Sequence, residues 1–160
     1  MADTKEMNAL KATSLLKEDH KKVKKIFAQF DKLEDDDAAG LSAIYEKVNR
    51  ELQIHAQIEE EIFYPAVHNS QDEEAEGMVL EAHEEHKIVK TLLEELSDMA
   101  AEDPDFCAKM KVLKEAVLHH AGEEEKDIFP VFNKLDKSVQ EEVSQRLNSR
   151  KRELTAEEEA

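Results

Sequence analysis

The run His55-Ala56-Gln57-Ile58-Glu59-Glu60-Glu61-Ile62-Phe63-Tyr64-Pro65 returns downstream as His120-Ala121-Gly122-Glu123-Glu124-Glu125-Lys126-Asp127-Ile128-Phe129-Pro130. This duplication constrains the fold more than any other feature of the chain. Both copies place a carboxylate four residues after a histidine, follow it with acidic residues, and end on an aromatic residue and proline. Positions i and i+4 share one face of a helix, so each copy aims an imidazole and a carboxylate at the same point. The repeat extends upstream. Glu18-Asp19-His20-Lys21-Lys22-Val23-Lys24 aligns with Glu84-Glu85-His86-Lys87-Ile88-Val89-Lys90. Two similar helical hairpins are expected, packed about a pseudo-twofold axis, each turning one lone histidine and one His-x3-Glu pair inward.

The rest of the 160 residues supports this arrangement. Only 3 Gly and 3 Pro, with 38% charged residues, suit long helices and few turns. The inward stripes have helical spacing. Leu16, His20, Val23, Phe27 and Phe30 mark a first helix from about residue 9 to Leu33, with Asn8 as its cap. Leu41, Ile44, Val48, Leu52, His55, Glu59 and Ile62 mark a second, to about Val67, with Pro65 weakening its last turn. Val79, Ala82, His86, Val89, Leu93 and Leu96 mark a third, from about Asp72 to Met99. Phe106, Met110, Leu113, Val117, His120, Glu124 and Ile128 mark a fourth, opened by Asp103-Pro104 and reaching Phe132. The expected fold is an all-α, up-down-up-down four-helix bundle over residues 9–133. Residues 1–8 are expected to be loose, a short C-terminal helix is expected over 134–152, and an acidic, disordered tail over 153–160.

Charge and composition exclude several functions. A net charge of -17 argues against nucleic acid and anionic membrane surfaces as partners. No apolar run approaches the ~20 residues needed to span a bilayer. The Met-Ala-Asp-Thr-Lys-Glu start carries no apolar segment, so no signal peptide is expected, and a single cysteine, Cys107, suits a reducing cytoplasm. Cys107 reads as a packing residue, and a monomer or weak dimer is expected.

The inward polar side chains are His20, His55, Glu59, His86, His120 and Glu124, with His83 one turn before His86. Burying them unpaired would cost roughly 1–3 kcal/mol each. A shared cation removes that cost. Imidazole and carboxylate without thiolate suit Fe, Mn or Zn. Seven candidates exceed the four of a closed zinc site. They fit two metals bridged by the two carboxylates. If each takes about six ligands, one or two places stay open for a small molecule, depending on whether His83 binds. His68 and His119 fall off the stripe and read as non-ligands, and Glu60, Glu61, Glu123 and Glu125 read as solvated. Tyr45 and Tyr64 could each reach a bridging oxygen, Tyr45 less readily. A ferritin-like centre would need Glu-x-x-His pairs, and the chain contains none.

Asp19-His20, His55-x3-Glu59, Glu85-His86 and His120-x3-Glu124, with the ends Tyr64-Pro65 and Phe129-Pro130, resemble the hemerythrin-like, or HHE cation-binding, family. The resemblance covers roughly residues 10–133 and implies two non-haem iron ions joined by an oxo or hydroxo bridge. It implies that Glu59 and Glu124 bridge, with His20 and His55 on one iron and His86, His120 and His83 on the other. His120-x3-Glu124 and His83-x2-His86 differ from the His-x4-Asp and His-x3-His of the oxygen carriers. The resemblance is to stand-alone bacterial members, some of which decompose hydrogen peroxide. The expected role is therefore peroxide turnover (catalase-like) or related oxidative or nitrosative stress defence. Reversible O2 or NO binding, as carrier or sensor, and iron storage are the alternatives.

Overall fold

The computed structural model describes residues 10–159. Helix α1 (Ala12–Asp31) and helix α2 (Ala38–Ile58) form the first hairpin. The second rod runs on through a π-helical turn, Glu59–Phe63, into α3 (Tyr64–His68). Helices α4 (Glu73–Ser97) and α5 (Pro104–Glu123) form the second hairpin, and the fourth rod continues through a π-helical turn, Glu124–Ile128, into α6 (Phe129–Phe132). A fifth rod, α7 (Lys137–Glu159), packs against α1 and α2. The expected cap Asn8 and the loose segment 1–8 lie outside the described residues.

The helix starts use local chemistry. Asp37, Asp72 and Asp103 each accept a backbone N–H from the first turn of α2, α4 and α5. Helix α1 has no such cap of its own at Lys11. Helix α7 supplies the missing partners from a distance. Ser144 Oγ accepts from Ala12 N–H at 2.8 Å, and Asn148 both accepts from Leu10 N–H and donates to Leu10 C=O.

The two π turns have a common cause. In a straight α-helix the ring of Pro65 would press on the carbonyl of Glu61, and that of Pro130 on the carbonyl of Lys126. The chain widens by one residue instead. Tyr64 N–H bonds to Glu59 C=O and Phe129 N–H to Glu124 C=O, five residues back in each case. Proline ends neither rod; the widening accommodates it.

The apolar core is divided in two. One cluster includes Leu16, Ile58, Phe63, Val67, Phe129, Phe132 and Leu147, and the other includes Phe27, Phe30, Leu41, Val48, Leu93, Met110 and Leu113. Between them along each rod lie the buried polar side chains His20, His55, Glu59, His86, His120 and Glu124. The acidic tail expected to be disordered from residue 153 is helical through Glu159. Leu154 buries against the first cluster, and Arg150 and Lys151 pair with Glu61 and Asp19. Few apolar residues suffice there because polar contacts carry the docking.

Two substitutions check this account. Ser144→Ala removes the distant acceptor of the Ala12 N–H and should lower the unfolding free energy by about 1–2 kcal/mol in denaturant titration. Gly77 lies within α4, and a Cβ added there meets nothing within 4 Å. Gly77→Ala should therefore raise stability by about 1 kcal/mol in the same assay.

Candidate metal centre

Four helical rods each contribute to one polar layer. His20 comes from α1, His55 and Glu59 from the second rod, His86 from α4, and His120 and Glu124 from the fourth rod. Each imidazole is held from behind by a carboxylate on a different rod. His20 Nδ1–H donates to Glu125 at 2.7 Å, His55 to Asp19 at 2.9 Å, His86 to Glu60 at 2.7 Å and His120 to Glu85 at 2.6 Å. A carboxylate can only accept, so all four Nδ1 atoms carry a proton and all four Nε2 atoms face inward. This is the outer arrangement typical of metal-bound histidine.

The inward atoms form two groups. His20, His55, Glu59 and Glu124 each present one donor atom within 4.8 Å of the others, and so do Glu59, His86 and His120. Glu124 reaches both groups: Oε1 lies 3.1 Å from His20 Nε2 and Oε2 lies 3.4 Å from His120 Nε2. Glu59 Oε1 lies 3.2 Å from both His55 Nε2 and His86 Nε2. Four of these buried atoms, His20 Nε2, His55 Nε2, Glu59 Oε2 and Glu124 Oε1, have no hydrogen-bond partner. Leaving such atoms unmatched costs about 1–3 kcal/mol each. His86 Nε2 and His120 Nε2 stand 3.2 Å apart, close to the separation of two neighbouring ligands about 2.1 Å from one ion. The residues present therefore fit a pair of cations.

Protons take the place of cations in the metal-free electrostatics. Burial disfavours imidazolium at all three of the following sites, but carboxylates outweigh it. Glu59 and Asp19 hold His55 well above the ordinary histidine range. Glu59 and Glu60 raise His86, and Glu124 and Glu59 raise His120 to about 9. Burial likewise opposes charge on Glu124, yet hydrogen bonding and the nearby histidines hold its carboxyl well below the usual range.

Of the expected ligands, the structure brings six together and leaves His83 apart. His83 packs edge-on against the ring of Tyr64, with centroids 5.4 Å apart. Tyr64 occupies the position beside His86 and His120 instead. Its hydroxyl lies 3.2 Å from Glu59 Oε1, His86 Nε2 and His120 Nε2, and donates a short hydrogen bond to Glu124. Burial and the two carboxylates push its pKa well above 10. Phe129, its counterpart in the repeat, has no hydroxyl and stacks on His20 at 5.8 Å. Glu60 and Glu125 are not solvated as expected, because they anchor His86 and His20. His68 and His119 are exposed, with His119 paired to Glu123, and Tyr45 donates to the Leu93 carbonyl away from the layer.

Beside the imidazoles lies a cavity of about 40 Å3, with Val23, Leu52, Val89, Leu93 and Val117 in its wall. It has room for a few atoms and presents almost no polar surface other than the histidines. Among the described residues no helix is long and apolar enough to cross a membrane.

Comparison with known proteins bears on this geometry. The family model described as hemerythrin HHE cation binding domain matches residues 11–132. A crystal structure of a hemerythrin HHE cation binding domain-containing protein from Mycobacterium kansasii has the same fold, with a TM-score of 0.77 at 24% identity, covering 92% of this chain and 89% of that one. A Nostoc protein described as a DNA nickase is 27% identical over 128 residues, 80% of this chain; the chain spans about a third (34%) of that relative's length.

The pH dependence of stability separates the two occupants of the centre. Glu60, drawn down to about 2 by His86 and Lys90, contributes stability above the ordinary glutamate value of 4.5 that is lost as pH falls towards 2. His120, raised to about 9, contributes stability that is complete below 6.5 and is lost as pH rises through 9. Metal-free protein should therefore melt highest between about pH 4.5 and 6.5 and lose melting temperature steadily towards pH 9. A bound cation needs neutral imidazole, so metal-loaded protein should keep its melting temperature over the alkaline range. Paired thermal scans across pH test both limbs.

Proposed function

The chain belongs to the hemerythrin HHE cation-binding family, and from that premise we propose that it is a non-haem di-iron protein that turns over a small oxidant, hydrogen peroxide first. The observation that carries this reading is the convergence of four buried, unpartnered donor atoms from His20, His55, Glu59 and Glu124 on one polar layer. Their chemistry suits Fe, Mn or Zn, and the resemblance to non-haem di-iron proteins selects iron among them. The donors are imidazole nitrogen and carboxylate oxygen, and the one thiol, Cys107, lies in the distant apolar cluster. His20 and His55 would hold one ion and His86 and His120 the other, with Glu59 and Glu124 spanning both. Two bound irons would supply two-electron redox chemistry for peroxide.

The protein's own groups account for selectivity and proton handling. The apolar cavity has room for peroxide, O2 or NO beside the imidazoles. The four Nδ1 anchors keep the imidazoles from rotating. The Tyr64 hydroxyl places a proton donor between Glu59 and Glu124. Tyr64 also offers an oxygen donor on the His86–His120 side, in place of His83. Nickase activity is not proposed, since a chain of net charge -17 repels DNA and the match spans only a third of that relative.

Metal analysis of protein grown with ample iron tests the reading. About two irons per chain are expected, falling sharply in His55→Ala and Glu124→Ala, with peroxide consumption well above that of free iron at equal concentration. Zinc alone, or activity no greater than free iron, would sink it. A visible band that appears with oxygen and vanishes on its removal would support reversible binding instead. Tyr64→Phe should retain both irons while changing the visible spectrum of the oxidised protein, because a phenol oxygen leaves the centre.

A further inference from the structure

The four carboxylates behind the imidazoles are not equivalent. Asp19, behind His55, also accepts from Lys151 Nζ at 2.5 Å, and Glu60, behind His86, accepts from Lys90 Nζ at 2.8 Å. Glu85, behind His120, and Glu125, behind His20, have no lysine or arginine partner among the described residues. The two lysines also differ in origin. Lys90 stands on α4, inside the repeated bundle, whereas Lys151 stands on α7, outside the repeat.

A carboxylate on Nδ1–H makes the opposite nitrogen a stronger donor. A lysine on the same carboxylate cancels its charge and weakens that push. On the side of His20 and His55, Glu125 is bare and Asp19 is neutralised by Lys151. On the side of His86 and His120, Glu85 is bare and Glu60 is neutralised by Lys90. Each half thus carries one bare and one neutralised carboxylate. Without Lys151 the first half would carry two bare anions and the balance would be lost.

We propose that Lys151, carried by the fifth helix, sets the cation affinity of the His20–His55 position by neutralising Asp19, so that both halves of the centre present the same outer charge. Lys151 acts through Asp19 and His55 and is a positioning residue. The proposal rests on the two-metal reading above. Its direction is diagnostic. Loss of a positive charge strengthens cation binding, whereas a lysine that merely fastened α7 would, when lost, loosen the site and weaken binding. A unit charge about 10 Å from a divalent ion, at an effective dielectric near 40, between the near-surface value of about 20 and bulk water, changes a binding constant by roughly tenfold. The partly exposed Lys151 side chain, 32% accessible, places the effect at or below that value in physiological salt.

Metal-free wild type, Lys151→Gln, Lys151→Arg and Lys90→Gln are titrated with Co(II) against a competing chelator, following d–d absorption. Two Co(II) per wild-type chain, with two resolvable affinities, establishes the centre independently of either lysine. Lys151→Gln should tighten one position by several-fold to tenfold and leave the other within twofold. Lys90→Gln should tighten the opposite position, and Lys151→Arg should match wild type. Unchanged or weaker binding in Lys151→Gln, or a Lys151→Arg variant that behaves like it, overturns the proposal while leaving the two-metal reading intact. No Co(II) uptake by wild type overturns both. Lys90→Gln keeps the electrostatic argument testable without disturbing the fifth helix.

Discussion

The carboxylate-to-Nδ1 hydrogen bond, made four times, is the interaction on which the rest of this structure depends. An imidazole in an apolar bundle could rotate, choose either tautomer, or turn its polar edge to water. Asp19, Glu60, Glu85 and Glu125 remove those choices and leave every Nε2 facing inward. The bonds also run between rods: Glu125 to α1, Asp19 to α2, Glu60 to α4 and Glu85 to α5. The same contacts that orient the donors therefore tie neighbouring rods together across a layer where the apolar core is interrupted. This coupling is why the centre and the fold cannot be separated energetically. A polar layer left incomplete would weaken the packing of both apolar clusters, and a cation or, failing that, protons must complete it.

The internal repeat gives the two halves matching donors but not matching surroundings. Tyr64 and Phe129 fill equivalent positions, yet one brings a hydroxyl to four donor atoms and the other stacks an apolar ring on His20. One side of the centre is thereby more polar than the other. The pseudo-twofold frame arranges the donors, and single substitutions within it make the two sides differ.

Much of this was legible in the sequence because helical spacing is a strict rule. His20, His55, Glu59, His86, His120 and Glu124 fall in line with aliphatic residues at helical steps, and the structure gathers all six. Five residues of α-helix turn about 140° from the starting face, so Glu60 and Glu125 read as solvated, and Tyr64 was credited with reaching a bridging oxygen but not counted among the ligands. The π turn changes that angle for Tyr64, returning it towards the Glu59 face, while Glu60 and Glu125, like Asp19 and Glu85, reach sideways to histidines of a neighbouring rod. The signal was present as proline near the end of an unbroken stripe. His83, expected to join His86 and His120, packs edge-on against the Tyr64 ring. The C-terminal residues looked too acidic and apolar-poor to order. From residue 153 onward the helix of 137–152 simply continues, with Leu154 buried and Glu153 paired to Arg150.

The prolines that follow the two π turns have a further effect. A widened turn in a helix is mobile in principle, since each neighbouring N–H can exchange its i−5 bond for an i−4 bond and pass the extra residue along. Pro65 and Pro130 have no N–H to exchange, so neither widening can slide past them towards the C-terminus. The angular setting of Glu59 relative to Tyr64, and of Glu124 relative to Phe129, is thus locked by a covalent ring rather than by packing. Substituting either proline would loosen the rotational phase of a rod without removing a single donor from the centre.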